Sequence, residues 1–424
     1  MKYTIDEFFT GTQRIRVLDA MMGLGKTEAV MQLFERYPDT KFVFVTPNII
    51  TRESQQGQRL QAAGFEIPDD GEDGKGAFYL ESMQRCARIV VTHALFKLQG
   101  KETKLLLREH RYIVVIDEVP DVGQKIEQVA PHLQPILANT VFEHDARTML
   151  LRANFDLPTH HNMGYATSVD FDKVFNKITS LANNGNLAYA AGLFQVVMDV
   201  SYWNDLEGVI ILTHDYKRSL FARWMSLQGH EVGFIDARAL GLDVDAGIEN
   251  LTRNLKLCQF HRKFEGLERE QEKMLFSASW YRSMDSKGFQ EVSGYLGNVV
   301  DTAKDRMSSR QVLWTCRKAD AGKLKWKGKS ENHTHWIPNN MRGSNDYSDI
   351  PITMCLYNYY LDPSRKALLK ASNDPEIDDD YASSNLMQWV YRGTIRQRQL
   401  QYVILLESRM RRIFEESVKR LAAA

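Results

Sequence analysis

Residues able to handle a phosphate chain lie near the start of this sequence. Ala20-Met21-Met22-Gly23-Leu24-Gly25-Lys26-Thr27 joins an apolar stretch to a helix-prone one. Glycines at 23 and 25 let backbone N–H groups, including that of Leu24 between them, come close to an anion. The helix that follows would aim its positive end at the same point. Lys26 offers a point charge to the β- and γ-phosphates of a nucleotide, and the Thr27 hydroxyl is a candidate ligand for Mg2+. The loop departs from the strict G-x-x-x-x-G-K-[ST] pattern at one position, where Ala20 stands for the first glycine. A second stretch, Tyr112-Ile113-Val114-Val115-Ile116-Asp117-Glu118-Val119-Pro120, is an apolar run that ends in two carboxylates. Carboxyl ends of strands are where open α/β sheets bind ligands. Asp117 is placed to hold the cation through water, and Glu118 to orient and deprotonate an attacking water. An acidic strand end by itself is most often merely solvated. Downstream of a phosphate loop, it points to a site that hydrolyses a nucleoside triphosphate, with ATP and Mg2+ as the expected ligands.

Such a site needs strands and helices in alternation. Residues 14–18, 41–46, 88–92 and 112–116 are short apolar runs, of the kind expected for strands buried on both faces of a parallel sheet, and 27–36 has helical character. Residues 57–76 are polar and rich in Gly and Asp, which predicts a surface loop. Helical periodicity around 171–182 and 188–202 predicts a helical insertion over about 121–205. Strand character returns at 208–213, followed by a helix at 217–227 and a strand at 230–236. Residues 241–270 are charged and helix-prone, as a connector would be. A second β/α series follows, with strands at 274–278, 311–315, 352–359 and 402–406 and helices at 385–397 and 408–419. The predicted organisation is two tandem α/β domains with parallel sheets flanked by helices. Domain one covers 1–240 with its insertion, and domain two covers 271–424.

Bulk properties exclude several alternatives. Lys+Arg and Asp+Glu both number 54 in 424 residues, so a uniformly basic coat is absent and any grip on nucleic acid must be local. Cys86, Cys258, Cys316 and Cys355 are far apart with no C-x-x-C pair, which speaks against a disulfide scaffold or a zinc ribbon. His160-His161 and His333-x-His335 lack partners at metal-site spacing. No apolar run approaches the roughly 20 residues that span a bilayer, and the first residues do not resemble a signal peptide. A cytoplasmic location, the host cytoplasm for a viral protein, is expected.

The A-x-x-G-x-G-K-T loop and the D-E-V-P box resemble motifs I and II of superfamily 2 helicases, the DEAD/DEAH-like group. Val45-Thr46-Pro47-Asn48 is similar to motif Ia, and Val91-Thr92-His93 to the next strand-end motif of that family. The resemblance implies that Thr46, Pro47, Asn48, Thr92 and His93 touch the backbone of a bound strand. Met341-Arg342-Gly343-Ser344-Asn345-Asp346 is similar to motif V, which implies nucleotide contacts from Gly343 and Asp346. Gln388-Trp389-Val390-Tyr391-Arg392-Gly393-Thr394-Ile395-Arg396 is similar to motif VI. Two segments compete for motif III, Leu212-Thr213-His214 and Ser277-Ala278-Ser279. The resemblance covers about 1–120 and 310–410, and the D-E-V-P variant looks most like viral helicases, including phage enzymes. It implies that the two α/β domains are RecA-like and that the chain carries out strand translocation or unwinding in viral DNA replication or recombination.

Residues 388, 392 and 396 are spaced i, i+4, i+8, which on a helix would put them on one face. Gln388 would sense the nucleotide, and either Arg392 or Arg396 would reach the γ-phosphate as a finger, a role worth roughly 10³–10⁵-fold in related phosphoryl transfers. ATP would then lie between the two domains, with closure on binding and opening on hydrolysis. Lys325, Trp326 and Lys327, inside a lysine-rich run, combine backbone attraction with a stacking face. Nucleic acid is therefore the expected partner, DNA ahead of RNA. The 121–205 insertion would serve as a wedge or as a dock for replication or recombination proteins. A viral DNA-packaging ATPase and a nucleotide-gated binding scaffold are the alternative functions.

Overall fold

A computed structural model of the chain describes residues 12–68, 74–153, 169–258, 275–307, 311–324, 334–339 and 346–423. The chain forms two compact units. The first comprises Met1–Ala20, Gly25–Leu242 and Asp362–Asp374. Its apolar runs become strands β1 (Ile15–Asp19), β2 (Phe42–Thr46), β3 (Phe65–Glu66), β4 (Arg88–Thr92), β5 (Ile113–Asp117), β11 (Gly208–Thr213) and β12 (Gly233–Phe234). They pair in the order β12-β1-β11-β5-β2-β4-β3, every neighbour parallel. The central strands are buried at nearly every position, as a sheet covered on both faces requires. Helix Lys26–Arg36 covers one face through Ala29, Val30, Met31, Leu33 and Phe34. The ring of Phe34 meets those of Phe42, Phe44 and Phe65 at centroid distances of 4.9, 5.5 and 4.7 Å.

The strand order brings the two turns of interest together. Strand β11 lies between β1 and β5, pairing Thr213 with Asp19 on one side and Leu212 with Asp117 on the other. The loop after β1 and the acidic turn after β5 therefore leave the same edge of the sheet, one strand apart.

Several local expectations do not hold. Residues 57–62 and 74–76, expected as part of a loop, are helical, and 69–73 lie outside the described residues. Helix Gln55–Ala62 begins at Ser54, whose hydroxyl accepts the Gly57 N–H at 3.0 Å, and Gly74–Gln84 is also helical. In the insertion, helix Val169–Asn183 forms as the periodicity predicts, whereas 188–202 does not. That stretch contains strands β9 (Leu187–Ala190) and β10 (Leu193–Val196), joined by Ala191 and Gly192 with φ of 50° and 77°. Two successive left-handed residues make a tight hairpin turn, but Ala-Gly is a weaker signal than Asn-Gly, so the turn is hard to see in the letters. β10 also pairs with β6 (Gln124–Lys125), and β7 (Phe142–His144) pairs with β8 (Leu151–Ala153), all antiparallel. With helix Gln134–Thr140 these elements enclose a core of their own, including Leu137, Phe142, Ile178 and Phe194. A buried ion pair, Lys104 Nζ to Asp199 at 2.6 Å, ties the end of the insertion to the body of the unit.

The second unit comprises Met21–Leu24, Asp243–Leu361 and Pro375–Ala424. Its sheet has five parallel strands, β13 (Leu255–Cys258), β14 (Val312–Cys316), β15 (Thr334–Trp336), β16 (Ile352–Leu356) and β17 (Gln401–Leu405), in the order β13-β17-β16-β14-β15. Alternate side chains feed two cores. Val312, Trp314, Ile352 and Met354 join Leu296 and Val300 of helix Ser286–Met307. Leu313, Cys355, Val403 and Leu405 join Leu386 and Trp389 of helix Ile377–Val390 and Phe414 of helix Ser408–Ala422. Residues 255–258, expected as part of a charged connector, supply β13. In the described part of the strand expected at 274–278, Leu275 and Phe276 form a turn and Ser277 caps helix Ala278–Ser283, its hydroxyl accepting the Trp280 N–H at 3.2 Å. Among the described residues no helix is long and apolar enough to cross a membrane.

Candidate functional site

The phosphate-loop geometry follows from two glycines. Gly23 and Gly25 have φ of 78° and 88°, a left-handed conformation that strains any side-chain-bearing residue. Gly25 is also the N-cap of helix Lys26–Arg36 and offers no side chain to cap the first-turn N–H groups, the arrangement of an anion-binding helix start. Lys26 Nζ donates to the Ala20 carbonyl at 2.5 Å, while the Ala20 N–H donates to Thr213 at 3.1 Å. The loop is thus pinned at its start to the strand between β1 and β5.

The Thr27 hydroxyl donates to the Asp117 carboxylate, at 3.3 Å to Oδ1. Two hard oxygen donors from distant segments therefore meet beside the lysine, a set suited to a magnesium ion that also binds phosphate. Glu118 follows with φ of 63°, and its N–H donates to Leu212 at 2.9 Å. This left-handed turn breaks off strand β5 and separates the two carboxylates in direction. His93 Nε2 lies 2.9 Å from the Asp117 carbonyl, so the ring braces the acidic turn. Asp19 accepts the Tyr216 N–H at 2.8 Å. Burial pushes its carboxyl up, against the lowering influence of N–H groups from Tyr216 and Asp215 and of the Lys26 charge.

The register Thr46↔Thr92 sets the ends of β2 and β4 side by side. Both hydroxyls are engaged locally: Thr46 donates to the Asn48 carbonyl at 2.7 Å, and Thr92 caps helix His93–Lys97 by accepting the Leu95 N–H at 3.2 Å. Pro47 is half-buried, while Asn48 and the following Ile49 are exposed. Of the two motif III segments, Thr213-His214 ends the strand between the loop and the acidic turn, and Ser277 is a helix cap. Gly343, Lys325, Trp326 and Lys327 lie outside the described residues, as do His160, His161 and His333. Asp346 is in an exposed turn.

The one-face arrangement of Gln388, Arg392 and Arg396 does not form. Helix Ile377–Val390 stops after Gln388, and Arg396 stands in a separate 3-10 turn, Thr394–Gln397. The cause is close packing at Gly393, where a Cβ would lie 2.5 Å from Gln401 Oε1 and 2.6 Å from the Ile350 carbonyl. Gln401 is fully buried; its amide donates to Val390 O at 2.7 Å and its oxygen accepts the Ile395 N–H at 2.9 Å. Asn250 and Asn254 donate to the Ile395 and Arg398 carbonyls at 2.9 and 3.0 Å. Arg392 is buried by the turn, whereas Arg396 is exposed. The Met21–Leu24 segment packs in this same unit. The Tyr391 hydroxyl donates to Met21 Sδ at 3.8 Å, and a Cβ at Gly247 would lie 2.8 Å from Leu24 Cδ2. A Cβ at Gly23 would lie 3.8 Å from Arg396 O and 3.9 Å from its Cγ, so Arg396 is the arginine beside the glycine loop.

Part of the chain resembles a known domain family. Residues 251–418 fit the model of the YonV C-terminal Rossmann-like domain. Nearly the whole chain aligns with the SPbeta prophage-derived uncharacterized protein YonV of Bacillus subtilis (strain 168), at 22% identity over 431 positions, covering 95% of this chain and 98% of YonV. Among solved structures, apo XPD superposes with a TM-score of 0.48 at 13% identity, over 96% of this chain and 95% of that one. A DEAD box protein from the hyperthermophile Methanococcus jannaschii gives 0.28 at 12% identity, over 97% and 86%.

The segment that fits the YonV domain contains Gln388, Arg392, Arg396 and Gln401, but not the phosphate loop or the acidic turn. Gln401 escapes motif reasoning because it belongs to no family pattern. Its one signal in the letters is position: it is a lone polar residue opening an otherwise apolar strand, and a buried amide there must satisfy backbone groups.

Proposed function

We propose that this chain is a nucleic-acid-dependent ATPase that couples hydrolysis to movement along, or separation of, strands. The carrying observation is the Thr27–Asp117 hydrogen bond beside Lys26, at the N-terminus of a helix whose cap has no side chain. In this reading Lys26 leaves the Ala20 carbonyl to hold the β- and γ-phosphates, and the N–H groups around Gly23 and Gly25 cradle them. Thr27 and Asp117 hold Mg2+, which when bound neutralises phosphate charge and favours departure of the diphosphate. Glu118 accepts the proton of the attacking water. The exposed residues Asn48 and Ile49 offer the strand contacts, with Pro47 behind them, and His93 acts through the acidic turn rather than on the strand. The prophage origin of YonV supports a phage context; within it the proposed role is in DNA replication or recombination in the host cytoplasm, with DNA ahead of RNA and with partner proteins docking on the 121–205 insertion.

An ATPase assay titrated with single-stranded DNA, duplex DNA and RNA tests this. We expect basal turnover in Mg2+ and about a tenfold or larger rise in kcat with single strands. Turnover that no nucleic acid changes would remove the motor reading.

Arg396, beside Gly23, is proposed to act on the nucleotide. Because that guanidinium is exposed, water screens it, and its effect should fall below that of a buried finger. Arg396→Ala is expected to lower kcat about 10–10²-fold with KM little changed. Arg392→Lys is expected to show its main effect as a lower Tm, because the residue is buried. Steady-state kinetics and thermal melts of both variants check the assignment; the reverse pattern would transfer the role to Arg392.

A further inference from the structure

Thirteen residues of the second half of the sequence, Asp362–Asp374, belong to the first unit. They leave the chain between β16 and helix Ile377–Val390 and form the short helix Pro363–Leu368, followed by an irregular return. Their contacts concentrate on the segment that follows the acidic turn. Arg365 makes a two-point pair with Asp121, Nη1 to Oδ1 at 3.1 Å and Nη2 to Oδ2 at 2.8 Å. Asp362 uses Oδ1 to cap its own helix, accepting the Ser364 N–H at 2.9 Å and hydroxyl at 2.6 Å, which leaves Oδ2 for Lys125 Nζ at 2.6 Å. Burial works against the Asp362 carboxylate, but the bonds from Lys125 and Ser364 outweigh it and hold its pKa below the ordinary value. Gln195 of β10, fully buried, donates to the Ser364 carbonyl at 2.9 Å. Leu368 is also fully buried, and a Cβ on Gly123 would lie 2.7 Å from its Cδ2. At the far end Arg223 pairs with Asp374.

We propose that Asp362–Asp374 is a strap that positions the Asp117-Glu118 turn for hydrolysis, with Arg365 as its positioning residue. Asp121 stands three residues beyond Glu118. The residues between and just after them are stiff, since Val119, Pro120 and Val122 are buried and Pro120 fixes its own φ. A two-point guanidinium–carboxylate pair sets orientation as well as distance. Held there, Asp121 fixes the exit of the left-handed turn and with it the direction of the Glu118 carboxylate. The base of the strap is itself closed: the Leu361 N–H donates to Asp378 Oδ1 at 2.9 Å, on the first turn of helix Ile377–Val390. That helix ends at the turn carrying Arg396.

This proposal rests on the ATPase reading, because it assigns Glu118 the role of base. The test uses the full chain, its Arg365→Ala and Arg365→Lys variants, and Lys125→Ala as a milder probe on a half-exposed pair. For Arg365→Ala we expect kcat for ATP to fall about tenfold or more with KM within about twofold. Lysine at 365 should restore part of the rate, since it keeps the charge but not the fork. Hydrogen exchange at amides 118–125 should rise in the alanine variant without nucleotide. Wild-type kcat in Arg365→Ala, or unchanged exchange at those amides, would overturn the strap. If Arg365→Ala fails to fold, Lys125→Ala decides, a rate loss supporting the strap and a wild-type rate overturning it. A wild type that turns over no ATP under any condition would instead overturn the ATPase reading, and the strap's role with it.

Discussion

Lys26→Ala is expected to lower kcat/KM for ATP by about 10³-fold or more while leaving the fold intact. Two consequences of the substitution act together. The β- and γ-phosphates lose the one side-chain cation that the loop itself supplies, and removing a single preorganised donor from a developing charge costs on the order of 10²–10³ in rate. The loop also loses the bond from Nζ to the Ala20 carbonyl, which ties the two ends of the turn together. Stability should change little, because Lys26 is half-buried and the helix it opens is held by Ala29, Val30, Leu33 and Phe34. Steady-state kinetics with a thermal melt separates the two effects. A variant with wild-type turnover would remove the nucleotide site from this loop.

Glu118→Gln should separate binding from chemistry. The amide keeps the size of the side chain and its hydrogen-bonding reach but cannot take a proton from water, so kcat is expected to drop about 10³–10⁴-fold. Nucleotide affinity should stay within a few-fold, because on the proposed reading the phosphates are held by Lys26 and the loop N–H groups, and the metal by Thr27 and Asp117, rather than by Glu118. The left-handed backbone at 118 tolerates Gln about as well as Glu, so the geometry of the turn is not at issue. Binding of a fluorescent ATP analogue, measured beside single-turnover hydrolysis, tests the split. A Glu118→Gln protein that hydrolyses ATP normally would show that the water is activated elsewhere, and Asp19, half-buried at the end of β1 and with its carboxyl pushed up, would be the next candidate.

Elements whose information is local can be read from the letters. Strands at 42–46, 88–92, 113–117 and 208–213 announce themselves because a run buried on both faces must be apolar throughout. The glycine loop is equally local: positive φ at 23 and 25 and a helix beginning at Lys26 are properties of adjacent residues. Elements read from periodicity or polarity are harder. The hairpin at 187–196 reads as helix, and the helices at 55–62 and 74–84 read in part as loop. Short segments satisfy more than one period, and long-range pairing chooses between them.

The α/β class and the chemistry available at two turns are thus written in consecutive letters, because a phosphate loop and a buried strand each depend on adjacent residues. How those turns are used depends on packing across the chain. Strand β11 is inserted between the two strands that carry them, and the helix ends before Arg392 because Gly393 packs against Gln401 and Ile350. Packing also brings Arg396 beside Gly23 and lays residues 362–374 over the exit of the acidic turn. Most of these contacts join residues far apart in the chain. A close fit of that kind depends on shapes from both partners, which no single stretch of letters contains.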